Sequence, residues 1–365
     1  MRRKGVEKQK RNILALGFTS FFNDISSEAI YSALPLYIED TAMVGLVGGL
    51  FNGLGSVFKF LFGYLSDRLG KRKLLVFCGY ALSALSKFLI ALSQGFLMLA
   101  GIIGDRIGKG IRTSPRDAIL AEAKKRGYAF GLHRAMDTLG AISGSLFIFL
   151  LLTCKWDIRR AMILAAIIGS LSLVPLSLVE EPKLPVKRRR GRIRITGNMK
   201  KFLAGAFFAG LASISPMLLI KQSSVVVGVK SLLIYSVYNI FYVLSAHRLG
   251  SLSDLVGRRR VLLLSSITLS LAFFLASLGG GILLFSFPLY GISMGGLLST
   301  APAEVGDLEK KAKGTALGIF HMIYGIGVFT GSLLLGMLLK LFGNPALIVP
   351  AFSAIISTIF FLQIR

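Results

Sequence analysis

Gly63-Tyr64-Leu65-Ser66-Asp67-Arg68-Leu69-Gly70-Lys71-Arg72-Lys73 returns as Gly250-Ser251-Leu252-Ser253-Asp254-Leu255-Val256-Gly257-Arg258-Arg259-Arg260. The shared pattern is G-x-L-S-D-x-x-G-[KR]-R-[KR], and the offset is 250 − 63 = 187 residues in a chain of 365. Each copy lies between two long apolar segments. A basic turn repeated at half-chain spacing predicts a membrane protein built from two similar halves, an arrangement typical of transporters.

Composition supports the membrane reading. Hydrophobic residues make up 54% of the chain, charged residues 16%, and the mean hydropathy is +0.70. A soluble domain carries about 25% charged residues. A spanning helix needs about 20 apolar residues to cross the hydrocarbon at about 1.5 Å per residue. Twelve such segments are expected, at 13–38, 42–65, 74–93, 95–119, 127–153, 160–179, 201–222, 228–248, 260–279, 281–303, 314–341 and 344–364. Many hold Gly and Ser, which suits close helix packing in lipid. Cys78 falls in a span and Cys154 at a span end, so no disulfide is indicated.

The net charge of +26 raises the question of nucleic acid, and its distribution argues against it. Alternate loops collect the cations: Arg2 to Arg11, Arg68 to Lys73, Lys124 to Arg126, Lys183 to Lys201, Arg248 to Arg260, and Lys310 to Lys313. Lys155, Arg159 and Arg160 are the exception. This alternation is the positive-inside pattern, and it predicts a multi-pass protein of the cell membrane with both termini in the cytoplasm. The basic loops also suit anionic lipid heads. The N-terminal apolar run contains Asp24 and Glu28 and is too long for a cleavable signal core. The polar stretch Glu180 to Asn198, with Pro182 and Pro185, reads as a solvated connector. It divides the chain into a bundle at 1–179, a linker at 180–200 and a bundle at 201–365.

On these residues the chain resembles the major facilitator superfamily of secondary transporters. GYLSDRLGKRK is similar to that superfamily's signature loop, and the second half carries the matching copy. Arg106-Ile107-Gly108-Lys109-Gly110 is similar to its R-x-x-x-G element. Gly140-Ala141-Ile142-Ser143-Gly144 is similar to the glycine-rich element of antiporter branches, without the proline usual there. GDRIGKGIRTSPRDAILAEA also looks like a prokaryotic permease subgroup. The resemblance implies an all-α fold of twelve transmembrane helices in two six-helix pseudo-symmetric bundles around a central cavity. It also implies that the signature loops act as a latch for an outward-open state. The gating residues on this reading are Gly63, Asp67, Arg68, Gly70, Arg72, Gly250, Asp254, Gly257 and Arg258, joined by Arg116 and Asp117. Independently of the resemblance, Gly63 and Gly250 permit close helix approach, and Gly70 and Gly257 permit a tight turn or positive φ. Asp67 and Asp254 sit beside cations and are expected to be paired. A turn that only fixes topology is the plainer alternative.

Charges inside spans are functional candidates by default, because each costs several kcal/mol unless paired or hydrated. Asp24 and Glu28 are spaced i, i+4 and share a face. Asp105, Lys109, Arg112 and Arg116 follow 4-3-4 spacing and form one stripe. Lys59 and Lys87 lie in spans two and three, and His133, Arg134 and Asp137 in span five. Arg106, Lys109 and Arg134 are candidates to hold a substrate anion, since cationic side chains match carboxylate or phosphate. Asp24, Glu28 and Asp137 are candidates for proton coupling. The bland alternative is a set of internal ion pairs, such as Asp24 or Glu28 with Arg106 or Arg134. Lys59, Arg116 and Asp117 lie near span ends, where snorkelling also accounts for them.

The second half offers Tyr235, Tyr238, Asn239 and Tyr242 at helical spacing. Tyr238 and Asn239 are substrate-binding candidates there, with aromatic packing as the alternative. His321 stands alone in span eleven and reads as structural or as a proton relay. The expected function is secondary, proton-coupled transport of a small anion or zwitterion by a monomer. Drug or metabolite efflux, in which Asp24 and Glu28 attract lipophilic cations, is the alternative within transport. A non-transporting sensor or scaffold is the alternative outside it. No HExxH or GxxxxGK[ST] motif occurs, so no enzyme, metal, cofactor or ATP-driven pumping is indicated.

Overall fold

The computed structural model describes residues 2–55, 58, 72–121, 126–181, 196–309 and 313–364. The first signature loop, including Gly63, Asp67, Arg68 and Gly70, lies outside the described residues, as do Lys59 and 182–195 of the connector. Among the described residues the fold is entirely helical. The helices are α1 Arg2–Tyr37, α2 Thr41–Gly49, α3 Arg72–Leu92, α4 Gly95–Leu120, α5 Arg126–Thr153, α6 Ile158–Ser170 and α7 Leu173–Ser177. They continue as α8 Gly197–Ala212, α9 Pro216–Val227, α10 Ser231–Val256, α11 Arg258–Ser277, α12 Ser286–Leu308, α13 Lys313–Phe342 and α14 Ile348–Leu362. A π-helical turn, Leu50–Leu54, continues α2.

Eight segments among the described residues are long and apolar enough to cross a membrane. One of them, Gly197–Val256, is 60 residues long and holds α8, α9 and α10. Helices α1 and α4 have the length, but their polar and charged side chains keep them out of that set. Large apolar side chains face outward on many helices, among them Leu85, Phe96, Val174, Phe274 and Leu341. Water would not tolerate so much exposed hydrocarbon, whereas a bilayer covers it.

Local chemistry sets the helix ends. Asp40, Asp157, Thr196 and Ser215 each accept a backbone N–H at the start of α2, α6, α8 and α9. Such caps satisfy donors that have no partner within the helix. Gly257 takes φ +97° between α10 and α11, a conformation that excludes most side chains.

The chain forms two compact units. The first is Met1–Ala33 with Gly55–Arg188, and the second is Leu34–Leu54 with Arg189–Arg365. In the first unit, glycines set the helix spacing. A Cβ at Gly140 would meet the Phe21 carbonyl at 2.7 Å, and one at Gly144 would meet the Ile25 carbonyl carbon at 3.0 Å, so this glycine pair brings α5 against α1. A Cβ at Gly79 would lie 2.7 Å from the Gly108 carbonyl, which brings α3 against α4. Ile13, Leu16, Val76, Tyr80, Ile119 and Ala129 join in an apolar core at one end. The connector's first residues dock here. Glu180 pairs with Arg11 and accepts on its backbone carbonyl from Asn12, and Glu181 accepts the backbone N–H groups of Arg72 and Lys73, each at 2.8 Å.

In the second unit, α2 packs on α13, where a Cβ at Gly45 would stand 2.7 Å from the Gly336 Cα. The expected single span at 201–222 is in fact two helices. The chain breaks at Ser213–Ser215, between α8 and α9. The freed backbone groups are satisfied: Tyr290 donates its hydroxyl to the Ile214 carbonyl, and the Ser215 N–H donates to Ser332 Oγ at 2.9 Å. Broken helices survive in membranes on that condition. The break follows from Ser215-Pro216, a cap residue followed by the proline that favours a helix's first position.

Candidate functional site

The first unit concentrates its charge where α1, α3, α4 and α5 pack. Glycine spacing brings these backbones close, and each contributes polar side chains from its buried face. On α3, Lys87 is 1% exposed and donates to both the carbonyl and Oδ1 of Asn23 on α1, at 2.9 Å each. On α4, Asp105 accepts from Ser83 Oγ and from Arg106, whose Nε lies 3.0 Å from Oδ2. Lys87 also interacts electrostatically with Asp105 and Asp24. Burial makes such pairing obligatory, since an isolated charge in a low-dielectric interior is very costly.

Asp24 lies beside this group. It accepts from Asn23 Nδ2 at 3.0 Å and lies within electrostatic range of Asp137, Lys109 and Arg112. Lys109 in turn interacts with Asp24, Glu28, Arg106 and Arg112. The structure therefore brings Asp24, Glu28, Lys109, Arg112 and Asp137 into one electrostatic cluster. On α5, His133 is buried and its Nδ1 stands 3.4 Å from Asp137 Oδ2, whereas Arg134 points to an exposed face. Arg116 pairs with its neighbour Asp117, with nitrogen–oxygen distances of 2.9 and 3.0 Å.

Arg106 pairs with the adjacent Asp105, a partner that helical spacing did not single out. Lys87 carries more of the cluster than its sequence context signalled. The signal for Lys87 was a lone lysine in an apolar helix, and its partner Asn23 is 64 residues away.

In the second unit, Tyr238 stacks at 5.7 Å on Tyr235 and 6.3 Å on Tyr242, and meets Tyr290 at 5.2 Å. Tyr238 is thus part of a packed aromatic cluster, and Asn239 beside it is half-buried. Lys221 donates to the Ile38 carbonyl at 2.8 Å, and His321 packs its ring on Phe320. In the second signature loop, Asp254 lies 3.1 Å from Arg258, and Arg258 also pairs with Asp307 on α12. Among the described residues no group of His, Cys, Asp and Glu is arranged to hold a metal.

Comparisons with known proteins agree with this architecture. The profile of the Major Facilitator Superfamily matches residues 16–220 and 201–365. An uncharacterised MFS-type transporter of Methanocaldococcus jannaschii is 35% identical, over 97% of this chain and 95% of its own. The multidrug resistance protein MdtG of Klebsiella pneumoniae is 25% identical, over 96% of this chain and 93% of its own. Among solved structures, a mutant of the nucleoside transporter NupG aligns with a TM-score of 0.82 at 15% identity, covering 97% of this chain and 99% of that one. A bacterial homologue of the human lysosomal transporter Spinster, inward-facing and unoccupied, aligns with a TM-score of 0.79 at 14% identity, covering 98% and 97%. These neighbours carry the twelve-helix transporter fold. With its duplicated loop, its apolar helices and a profile match along nearly its whole length, this chain is an integral membrane protein and belongs to the Major Facilitator Superfamily of transporters.

Proposed function

We propose that this protein is a secondary transporter that moves a small anion or zwitterion by alternating access, coupled to protons. The observation that carries the reading is the lopsided charge of the first unit. Among the described residues Lys109 and Arg112 have no hydrogen-bonded carboxylate, whereas Asp105 is already committed to Arg106. Lys109 faces the substrate on this reading, with Arg106 behind it and Arg134 at the exposed edge. Asp24, Glu28 and Asp137 are the carboxylates available for a coupled proton. Tyr238 and Asn239 contribute polar and aromatic contacts in the second unit. The signature loops, with Arg116 and Asp117, gate access. Both termini face the cytoplasm, and the protein works as a monomer in the cell membrane.

Uptake into proteoliposomes under an imposed proton gradient tests the coupling. Asp24→Asn or Glu28→Gln is expected to abolish gradient-driven accumulation while leaving exchange of substrate at equal pH. Unchanged gradient-driven uptake in both variants would remove the proposal.

Efflux of lipophilic cations is the second reading. It is favoured by the likeness to multidrug resistance proteins and by the two acids on α1. Substrate sign separates the two.

A further inference from the structure

Two side chains next to Lys109 present an anomaly. Arg112 on α4 is 3% exposed, yet its Nη1 has no hydrogen-bond partner among the described residues. Its guanidinium stands 4.5 Å from the centroid of the Tyr80 ring on α3. Tyr80 is fully buried, and its hydroxyl also has no partner among them. Leaving a buried polar group unsatisfied costs about 1–3 kcal/mol, more for a charged one. A ring face attracts a cation but gives its N–H groups no acceptor.

The arrangement is built rather than incidental. Gly79 precedes Tyr80, and a Cβ there would stand 2.7 Å from the Arg112 Cβ and 2.8 Å from its backbone nitrogen. Only the missing side chain lets α3 pass close enough to lay the Tyr80 ring against Arg112. Gly108 opens the reverse contact, since a Cβ there would meet the Ser83 nitrogen at 3.0 Å. Both unspent donors are carried by that one ring and the guanidinium lying over it. Lys109 precedes Arg112 by one helical turn on the same stripe and adds positive charge.

We infer that Arg112 and Tyr80 form an oxyanion-binding site, in which one carboxylate or phosphate group accepts from the Arg112 guanidinium and the Tyr80 hydroxyl together. A planar guanidinium fork favours such groups geometrically as well as by charge. The site rests on the anion-transport reading and names the residues that take the substrate's charged end. It is closed to solvent in this conformation, so the anion enters as the surrounding helices part, and binding is slow compared with diffusion.

Titration of the purified, full-length protein tests this, with inorganic phosphate and acetate as separate probes and thermal stability as the readout. The wild type is expected to be stabilised by one of the two, and which one identifies the group. Tyr80→Phe keeps the ring and the cation contact but removes the hydroxyl, so it should weaken binding about tenfold. Arg112→Lys keeps the charge and loses the fork, and Arg112→Gln loses both; each should bind more weakly than Tyr80→Phe. In transport the Tyr80→Phe change should raise KM and leave the maximal rate near normal, which a packing defect would not do. If the wild type binds an oxyanion and Tyr80→Phe and Arg112→Lys bind it equally well, the site is wrong and the anion reading stands. If the wild type binds neither probe, nor any other small anion, both fall.

Discussion

Lys87 shows how a single buried cation ties a helix junction together. Its ammonium joins α3 to α1 through two oxygens of Asn23 and offsets the charge of Asp105. Lys87→Met is expected to lower stability by about 2–4 kcal/mol, because it strands polar partners in the interior. Thermal unfolding in detergent, with Lys87→Arg as comparison, reads this out, and an unchanged transition would show that the Lys87–Asn23 contacts do not hold the junction together. That context was uninformative for a physical reason. An isolated lysine in an apolar helix snorkels as readily as it pairs, and the two cases are told apart only by what lies across the helix. The Arg106–Asp105 pair was hidden for another reason. Neighbouring residues on a helix point about 100° apart, so spacing rules favour partners one turn away, yet a long arginine reaches round. By contrast, i, i+4 spacing put Asp24 and Glu28 on one face of α1, and 4-3-4 spacing put Lys109 in the stripe of α4, while their approach to one another depends on helix packing.

At the scale of elements, small residues decide which helices meet. Gly45→Val should force α2 away from Gly336 and cost about 1–3 kcal/mol, while Gly131→Ala, with nothing within 4 Å of the new Cβ, should be neutral. Comparing folded yields of the two variants checks this, and equal loss would show that helix spacing does not depend on Gly45. The loop before α2 offers a pH-dependent contact. Asp40 accepts from Lys340 Nζ at 3.1 Å and from the Ala42 N–H, and these contacts hold its carboxyl below the ordinary aspartate value. Because the native value is depressed, the stabilisation is present above the ordinary value, near pH 4, and fades as pH falls through the native one. The pair is exposed, so the effect is small and weakened by salt. In Asp40→Asn, the change in stability between neutral pH and pH 3 should shrink relative to wild type at low salt, and an identical pH profile would dismiss the contact. The helical character of the elements was legible from apolar runs with basic turns in alternate loops. The break between α8 and α9 was not, although Ser215-Pro216 is a helix-start signal, because an unbroken apolar run outweighed it.

For the whole molecule, family membership was readable from two loops 187 residues apart, and the comparisons show it. Substrate identity was not readable, because one fold carries many cargoes and the choice lies in a few side chains. The relatives illustrate this, being named for nucleosides in one case and multidrug resistance in another. What the chain itself contributes is an excess of buried cation over acid in the first unit, and the central claim is that this excess receives an anion. The most direct test is the thermal stability of the purified protein against small anions, zwitterions and lipophilic cations at two pH values. Binding to the folded state raises stability by about 2.7 kcal/mol at a hundred times Kd, a readily measured shift. The account predicts stabilisation by an anion or zwitterion that is lost in Lys109→Ala. Stabilisation by lipophilic cations, lost in Asp24→Asn and unaffected by Lys109→Ala, would contradict it and make the basic stripe a structural feature.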